Sequence, residues 1–492
     1  MLFNSLEYLA FFPLTVLVYY ILPRRARNLW LLAASYFFYG CYNVVYTLLL
    51  AGVTLTTYGS GLMIQRVVDK EKPMSHAKLW VALAVIINVA LLCYFKYTNF
   101  FITSIQSLMG KNTEGNTLLN IILPIGISFY IFQALGYVVD VYRQKVQAEK
   151  NIINYGLFVA FFPQLASGPI GRATGLLPQF RARPAFSAEK MRRGLLEFCW
   201  GTFLKMMIAD RAAVIVNTVY GNHTGYSGLV LLVAAVCYSF QIYCDFASYS
   251  YMAVGCGRVL GFDMIQNFNM PYFALSITDF WRRWHISLSS WLRDYIYIPL
   301  GGSRKGAFRK HLNTMIVFLV SGLWHGANWT YVVWGALNGG FQVIGNLFKP
   351  LRMKVCRIFH CDPENMGNRI LKIVFTFLLV TVTWVFFRAT TITQAFDVLK
   401  GIVTDFQPWT LWNGALLKLG LSGADMIVMI ICLLVLLGVS LARANGKDVI
   451  GNLLKQGVVF RWTVYLLLMF SIMIFGMYGA GFDASSFIYF QF

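Results

Sequence analysis

Two histidines stand where a proton-transfer step would need them. His285 closes the stretch Trp281-Arg282-Arg283-Trp284-His285, and His325 lies in Leu323-Trp324-His325-Gly326, forty positions later. Histidine is the side chain whose ordinary pKa lets it exchange a proton near neutrality, as a general base or acid must. Both lie in a chain that is 58% hydrophobic. A charged group at bilayer depth costs roughly 2.5–3.5 kcal/mol even on insertion scales, so an ionisable ring there marks a functional site by default. Either histidine alone is as readily an interhelical hydrogen-bonding group. Together, wrapped in tryptophan, arginine and serine, they favour chemistry.

The elements that must position them belong to a membrane protein. The chain has 492 residues, a mean hydropathy of +0.61, 16% aromatic and only 12% charged residues, against about 25% charged in soluble proteins. The reading is an all-α polytopic membrane protein. Its net charge of +21 comes from short clusters between apolar spans, such as Arg24-Arg25-Ala26-Arg27, Arg192-Arg193 and Arg304-Lys305. The positive-inside rule produces that pattern in cytoplasmic loops, and a basic rim attracts membrane lipids or a polyanionic substrate. No nucleic-acid partner is expected. Nine cysteines show no metal-like spacing; Cys356, His360 and Cys361 form the nearest cluster and do not close a zinc site, so no metal is expected. The start, Met1-Leu2-Phe3-Asn4, has no basic segment before its apolar run and is read as a first span.

A span needs about 20 apolar residues. Candidates run near 5–22, 29–50, 78–95, 118–139, 151–168, 196–218, 227–244, 313–324, 328–347, 370–388, 424–442 and 461–481. Pro124, Pro163 and Gly168-Pro169 break several of them, as half-helices lining a cavity require. About 10–13 membrane-embedded helices are predicted, re-entrant or interfacial pieces included, around a central funnel. The chain is read as one integral membrane domain, 1–492, with its core motifs at 262–340.

The stretch 262–312 is too polar for a span and too aromatic for a solvated loop. Its spacing predicts an amphipathic helix started by Thr278. Phe280, Trp284, Leu288, Trp291 and Tyr295 share one face, while Arg283, Ser287, Ser290 and Asp294 share the other. His285 lies on a flank, one turn from Trp281 and Ser289, and Asp279 can pair with Arg282 or Arg283. Pro299 and Gly301-Gly302 end the helix. A flat membrane anchor would have the same pattern.

These residues resemble a known family. The run Asn267-Phe268-Asn269-Met270-Pro271-Tyr272, then Ser276 to Ser289, is similar to the signature of membrane-bound O-acyltransferases. Trp291-Leu292-Arg293-Asp294-Tyr295-Ile296-Tyr297-Ile298-Pro299-Leu300-Gly301-Gly302 points to the bacterial branch that O-acetylates alginate and other exopolysaccharides. Gly322-Leu323-Trp324-His325-Gly326-Ala327-Asn328-Trp329, with Trp334-Gly335, resembles that branch's second histidine motif. Met1 to Ser5, Ala34 to Tyr39 and Phe487 to Phe492 extend the likeness over nearly the whole chain. The D-alanylating relatives of teichoic-acid systems share the tryptophan-arginine-histidine core, but the sequence departs from them after His325.

The resemblance implies acetyl transfer from acetyl-CoA to an alcohol of an extracellular polysaccharide. It also implies a bacterial inner-membrane location and a periplasmic or extracellular acetyltransferase partner protein that completes the transfer. Such chemistry asks for a base, for donors near the developing oxyanion and for cations at the donor's phosphates. His325, in its apolar segment, is expected to stay neutral and act as the base, the role the resemblance also implies for it. His285 is the second active-site histidine, and the exchange of their roles stays open. Trp281, Ser289, Trp324 and Asn328 are substrate-binding candidates, although Asn328 serves as readily in a helix–helix hydrogen bond. Arg282, Arg283, Arg293, Arg304 and Lys305 are the phosphate candidates, though any one is as readily a snorkelling interfacial cation. Asp245 could pair with an arginine of the 281–293 stretch. Gly301 to Gly306 lacks P-loop spacing and reads as a turn, and no G-x-S-x-G elbow is present. His76, His223, His311 and His360 read as solvated. The competing readings are D-alanyl transfer to teichoic acid and a non-catalytic channel or scaffold of an export complex.

Overall fold

The computed structural model describes residues 1, 3–110, 119, 121–358, 362, 365–478 and 487–488. Among these every regular element is helical. Among the described residues six helices are long and apolar enough to cross a membrane: Val44–Asp69, Met74–Leu108, Gly228–Val259, Met366–Arg388, Gly423–Ala444 and Val458–Phe475. Leu6–Ile21 and Ile127–Tyr142 are shorter apolar helices. The chain divides into two compact units, residues 1–198 with 249–266, and residues 199–248 with 267–492.

The first unit carries α1 (Leu6–Ile21), α2 (Arg27–Gly40), α3 (Val44–Asp69), α4 (Met74–Leu108), α5 (Ile127–Tyr142), α6 (Ile152–Ala160), α7 (Phe162–Leu165) and α8 (Ala173–Ala182). The apolar run 29–50 is not one span. It breaks at 41–43, where the Asn43 side chain accepts the Val45 N–H and restarts the chain as α3. The interrupted span at 151–168 satisfies its freed backbone through neighbouring side chains. Ser35 accepts the Phe162 N–H (3.1 Å), Gln164 donates to the Phe158 carbonyl (2.9 Å) and Gln133 accepts the Gly171 N–H (2.9 Å). A non-helical backbone buried in protein tolerates apolar surroundings on those terms. Gly126, before α5, is left-handed at φ 75° and abuts the Leu165 carbonyl, a place with no room for a Cβ.

Helices α9 (Ala188–Phe203), α10 (Asp210–Gly221) and α11 (Gly228–Val259) follow. The second unit then carries two seven-residue helices, α12 (Ile277–Arg283) and α13 (Ile286–Leu292), and a hairpin of α14 (Gly306–His325) and α15 (Trp329–Leu347). After α16 (Lys349–Ile358) come α17 (Met366–Arg388), α18 (Ile392–Thr404), α19 (Gly423–Ala444), α20 (Val449–Leu454) and α21 (Val458–Phe475). Within this unit Asp245 does not pair with an arginine. Lys205, in a π-helical turn, lies 2.6 Å from Asp245 and 3.0 Å from Asp210, and Asp245 also accepts the Ile488 N–H at 2.8 Å. The π turn projects the lysine inward, where the carboxylates compensate its burial.

Candidate active site

Asn267 to Ser289 build the seat of the first histidine. The Ser276 hydroxyl, not Thr278, caps α12 by accepting the Asp279 N–H at 3.1 Å. Asp279 binds the Leu275 N–H and the Arg283 guanidinium, each at 3.0 Å, so its predicted partner is Arg283 and not Arg282. The single amphipathic helix predicted through residue 295 is broken. Trp284 is extended and His285 is left-handed at φ 44°. The cause lies alongside. The Asn267 carbonyl accepts the Ile286 N–H (3.0 Å) and its amide oxygen accepts the Ser287 N–H (3.1 Å), bonds that an unbroken helix would have made internally. A left-handed non-glycine residue costs roughly 1–2 kcal/mol, and histidine is among the types that tolerate it.

His325 is mounted differently, as the last residue of the 20-residue α14. Gly322 and Gly335 let α14 and α15 meet backbone to backbone. A Cβ on either would strike the carbonyl of Tyr331 or Phe318, the small-residue packing usual for helices in a membrane. Asn328 caps α15 by accepting the Thr330 N–H and donates to the Thr390 carbonyl, both at 3.0 Å. Its amide is thus engaged in holding the turn after His325.

The structure brings the two rings together, 6.3 Å apart between centroids. Aromatic walls surround them. Phe246 stands 4.6 Å from His285; Trp324 stands 5.9 Å from His285 and 5.0 Å from His325; Trp334 and Phe387 stand 5.1 and 5.3 Å from His325. Both histidines are buried, at 0% and 3% exposure, so a reaction between them would run in a low-dielectric space where donors and charges act strongly.

A cavity of about 560 Å³ approaches this pair. Its lining includes Arg282, Ser289 and Arg293, Lys310 and Ser321 of α14, and Gln342 of α15. From Lys310 to Ser321 the wall follows α14 for about 16 Å at the helical rise, stopping one turn before His325. Trp281 also lines the cavity. Its indole donates to Asn338 at 3.1 Å, and it packs 5.3 Å from Phe318 and 5.6 Å from Trp334.

Of the predicted cations, Arg282 and Arg293 line the cavity, and Arg293 also meets Asp294 at 2.9 Å. Arg283 is turned to Asp279, and Arg304 and Lys305 are exposed away from the lining. Lys310 lines the cavity with Arg282 and Arg293. Sequence reasoning gave no role to Lys310, Asn267, Asn338 or Phe387. Lys310 carried a signal, because Lys310, Thr314, Ser321 and His325 recur at helical spacing on one face. Among the described residues no three His, Cys, Asp or Glu side chains gather as a metal would need. His360 and Cys361 lie outside the described residues.

Residues 31–388 match the profile of MBOAT, the membrane-bound O-acyltransferase family. The chain is 40% identical to a probable alginate O-acetylase of Pseudomonas putida, over 89% of this chain and 86% of that protein. It is 37% identical to a peptidoglycan O-acetyltransferase of Helicobacter pylori, over 82% of this chain and 80% of that protein. A teichoic acid D-alanyltransferase of Bacillus subtilis is 27% identical over 53% of this chain and 67% of its own length. The family match spans both histidines and the residues that line the cavity, and the chain belongs to the membrane-bound O-acyltransferase family.

Proposed function

We propose that this chain is a multi-pass protein of the bacterial inner membrane that takes acetyl groups from cytosolic acetyl-CoA and delivers them for O-acetylation of an extracellular polysaccharide. The observation that carries this reading is the pair of buried rings 6.3 Å apart, one turn beyond a cavity rimmed by Arg282, Arg293 and Lys310. Those three cations suit the phosphates of the donor, and the serine, glutamine and asparagine side chains between them suit its amides. In this reading the open end of the α14–α15 hairpin faces the cytosol, which the bases at 304–310, 349–357 and 369–372 support.

In this reading His325 is the general base. Its imidazole takes the acceptor hydroxyl proton as the oxygen bonds to the thioester carbon, and returns it to the thiolate when the C–S bond breaks. His285 holds the donor or acceptor across from it. A periplasmic or extracellular acetyltransferase partner receives or completes the transfer to sugar. D-alanyl transfer is less well supported, since identity to that relative is lower and covers about half the chain. The test is thiol release from acetyl-CoA by membranes holding the chain, its His325→Ala variant or neither. The proposal expects release that requires His325. Release that survives in His325→Ala removes the base, and release only from a D-alanyl carrier protein moves the chain to the other substrate.

A further inference from the structure

We infer that Trp334 is a further catalytic residue, its indole N–H donating to the oxyanion formed on the donor's carbonyl. The inference rests on the acyl-transfer reading above and adds the group that reading lacks. Trp334 is 0% exposed, and its Nε1 makes no hydrogen bond among the described residues. Buried donors are paired in nearly all structures, and an exception asks for an explanation, a catalytic role being one. Burial in this cluster does not always strand an indole N–H, although Trp384, stacked on Trp334 at 5.9 Å, also has no partner among the described residues. The neighbouring Trp281, with ring centroids 5.6 Å away, donates its own to Asn338. An indole offers one donor and no acceptor, so no tautomer could change its role.

The position suits the chemistry. The Trp334 ring stands 5.1 Å from that of His325 and nearly perpendicular to it, at 84°. It is held on α15 by the Asn338 amide, which donates to the Trp334 carbonyl at 2.9 Å, and Gly335 presses that turn against the Phe318 carbonyl. When the acceptor oxygen bonds to the thioester carbon, the carbonyl π pair moves to its oxygen and the hydroxyl proton passes to His325. The negative oxygen then needs a donor already in place. Collapse restores the carbonyl, breaks the C–S bond and returns the proton from imidazolium to the thiolate. A fixed N–H beside the base stabilises that state without reorganising, which is the most effective form such help takes.

Two variants test this in the full-length chain in membranes. Trp334→Phe removes the N–H and keeps an aromatic ring. Replacement of Trp334 by 3-benzothienylalanine exchanges N–H for sulfur and keeps the bicyclic shape. Both are expected to lower kcat about 10²-fold, the usual loss for one oxyanion donor, while KM for acetyl-CoA changes little. If Trp334→Phe fails to accumulate, the benzothienyl variant decides. A folded, inserted variant that keeps kcat within a few-fold while His325→Ala is inactive overturns this inference alone. Turnover that persists in His325→Ala defeats the acyl-transfer reading and takes the inference with it.

Discussion

The two histidines of the site are held by opposite means. His325 ends a long regular helix, and its position follows from how α14 packs on α15 through Gly322 and Gly335. His285 sits at a break between two seven-residue helices, in a left-handed backbone that Asn267 stabilises from outside. One ring is placed by packing and the other by a local irregularity bonded into place. Irregular backbone of this kind persists only where the surroundings over-determine it, and it collects at functional sites. The difference predicts that the two residues respond differently to substitution.

The largest effect is expected at His325. His325→Ala should lower polysaccharide acetylation by about 10²–10⁴-fold or more, the range for loss of a general base. Expression and membrane insertion should be unchanged, because an alanine ends α14 as readily. Near-normal acetylation in that variant would break the assignment. His285 calls for glycine rather than alanine, since glycine takes φ 44° without cost. His285→Gly should therefore keep the backbone break, at the cost of a cavity where the buried ring stood, and still lose most activity. If it keeps activity, the residue serves the backbone break and the imidazole does no chemistry.

A smaller loss is expected at Asn267, which touches the site only through the backbone after His285. Asn267→Ala leaves the buried Ser287 N–H without its acceptor, a cost of about 1–3 kcal/mol. Thermal stability should fall, and kcat should fall with it as the His285 ring loses its placement. Asn267→Asp keeps an acceptor oxygen and should recover more of the activity than of the stability, since it buries a charge. Equal activity in the Ala variant and wild type would show that the break is held without Asn267.

Much of this was legible in the sequence, and the failures have physical causes. The helical membrane class follows from hydropathy, and the two histidines that residue type singled out meet in the structure. The break at Trp284–His285 does not. Each side of it has helical spacing, and the hydrogen bonds that interrupt it come from Asn267, whose reach to Ile286 and Ser287 no periodicity reports. Asp245 failed for the same reason. Its partner, Lys205, comes from a π-helical turn far upstream, and a search among the nearby arginines could not find it. The predicted cations divide, Arg282 and Arg293 lining the cavity and Arg304 and Lys305 not. Arg304 and Lys305 form the more conspicuous basic cluster, but a glycine-rich turn carries them away from the wall that Lys310 occupies.

That last distinction gives the smallest and sharpest test. Lys310 lies on the cavity wall with Arg282 and Arg293, while Arg304 and Lys305 are exposed outside it. A cation that meets a phosphate within a partly enclosed site acts through a charge-assisted hydrogen bond. One in open solvent contributes only a screened attraction, lost beyond about 10 Å at 0.1 M salt. Lys310→Gln should therefore raise KM for acetyl-CoA several-fold with kcat little changed, and the rise should persist at high salt. The double variant Arg304→Gln, Lys305→Gln should raise KM less, and only at low ionic strength, where exposed charges steer the donor toward the membrane surface. Were the double variant to raise KM more than Lys310→Gln at every salt concentration, the donor's phosphates would bind at the glycine-rich turn, and the cavity along α14 would have to serve another ligand.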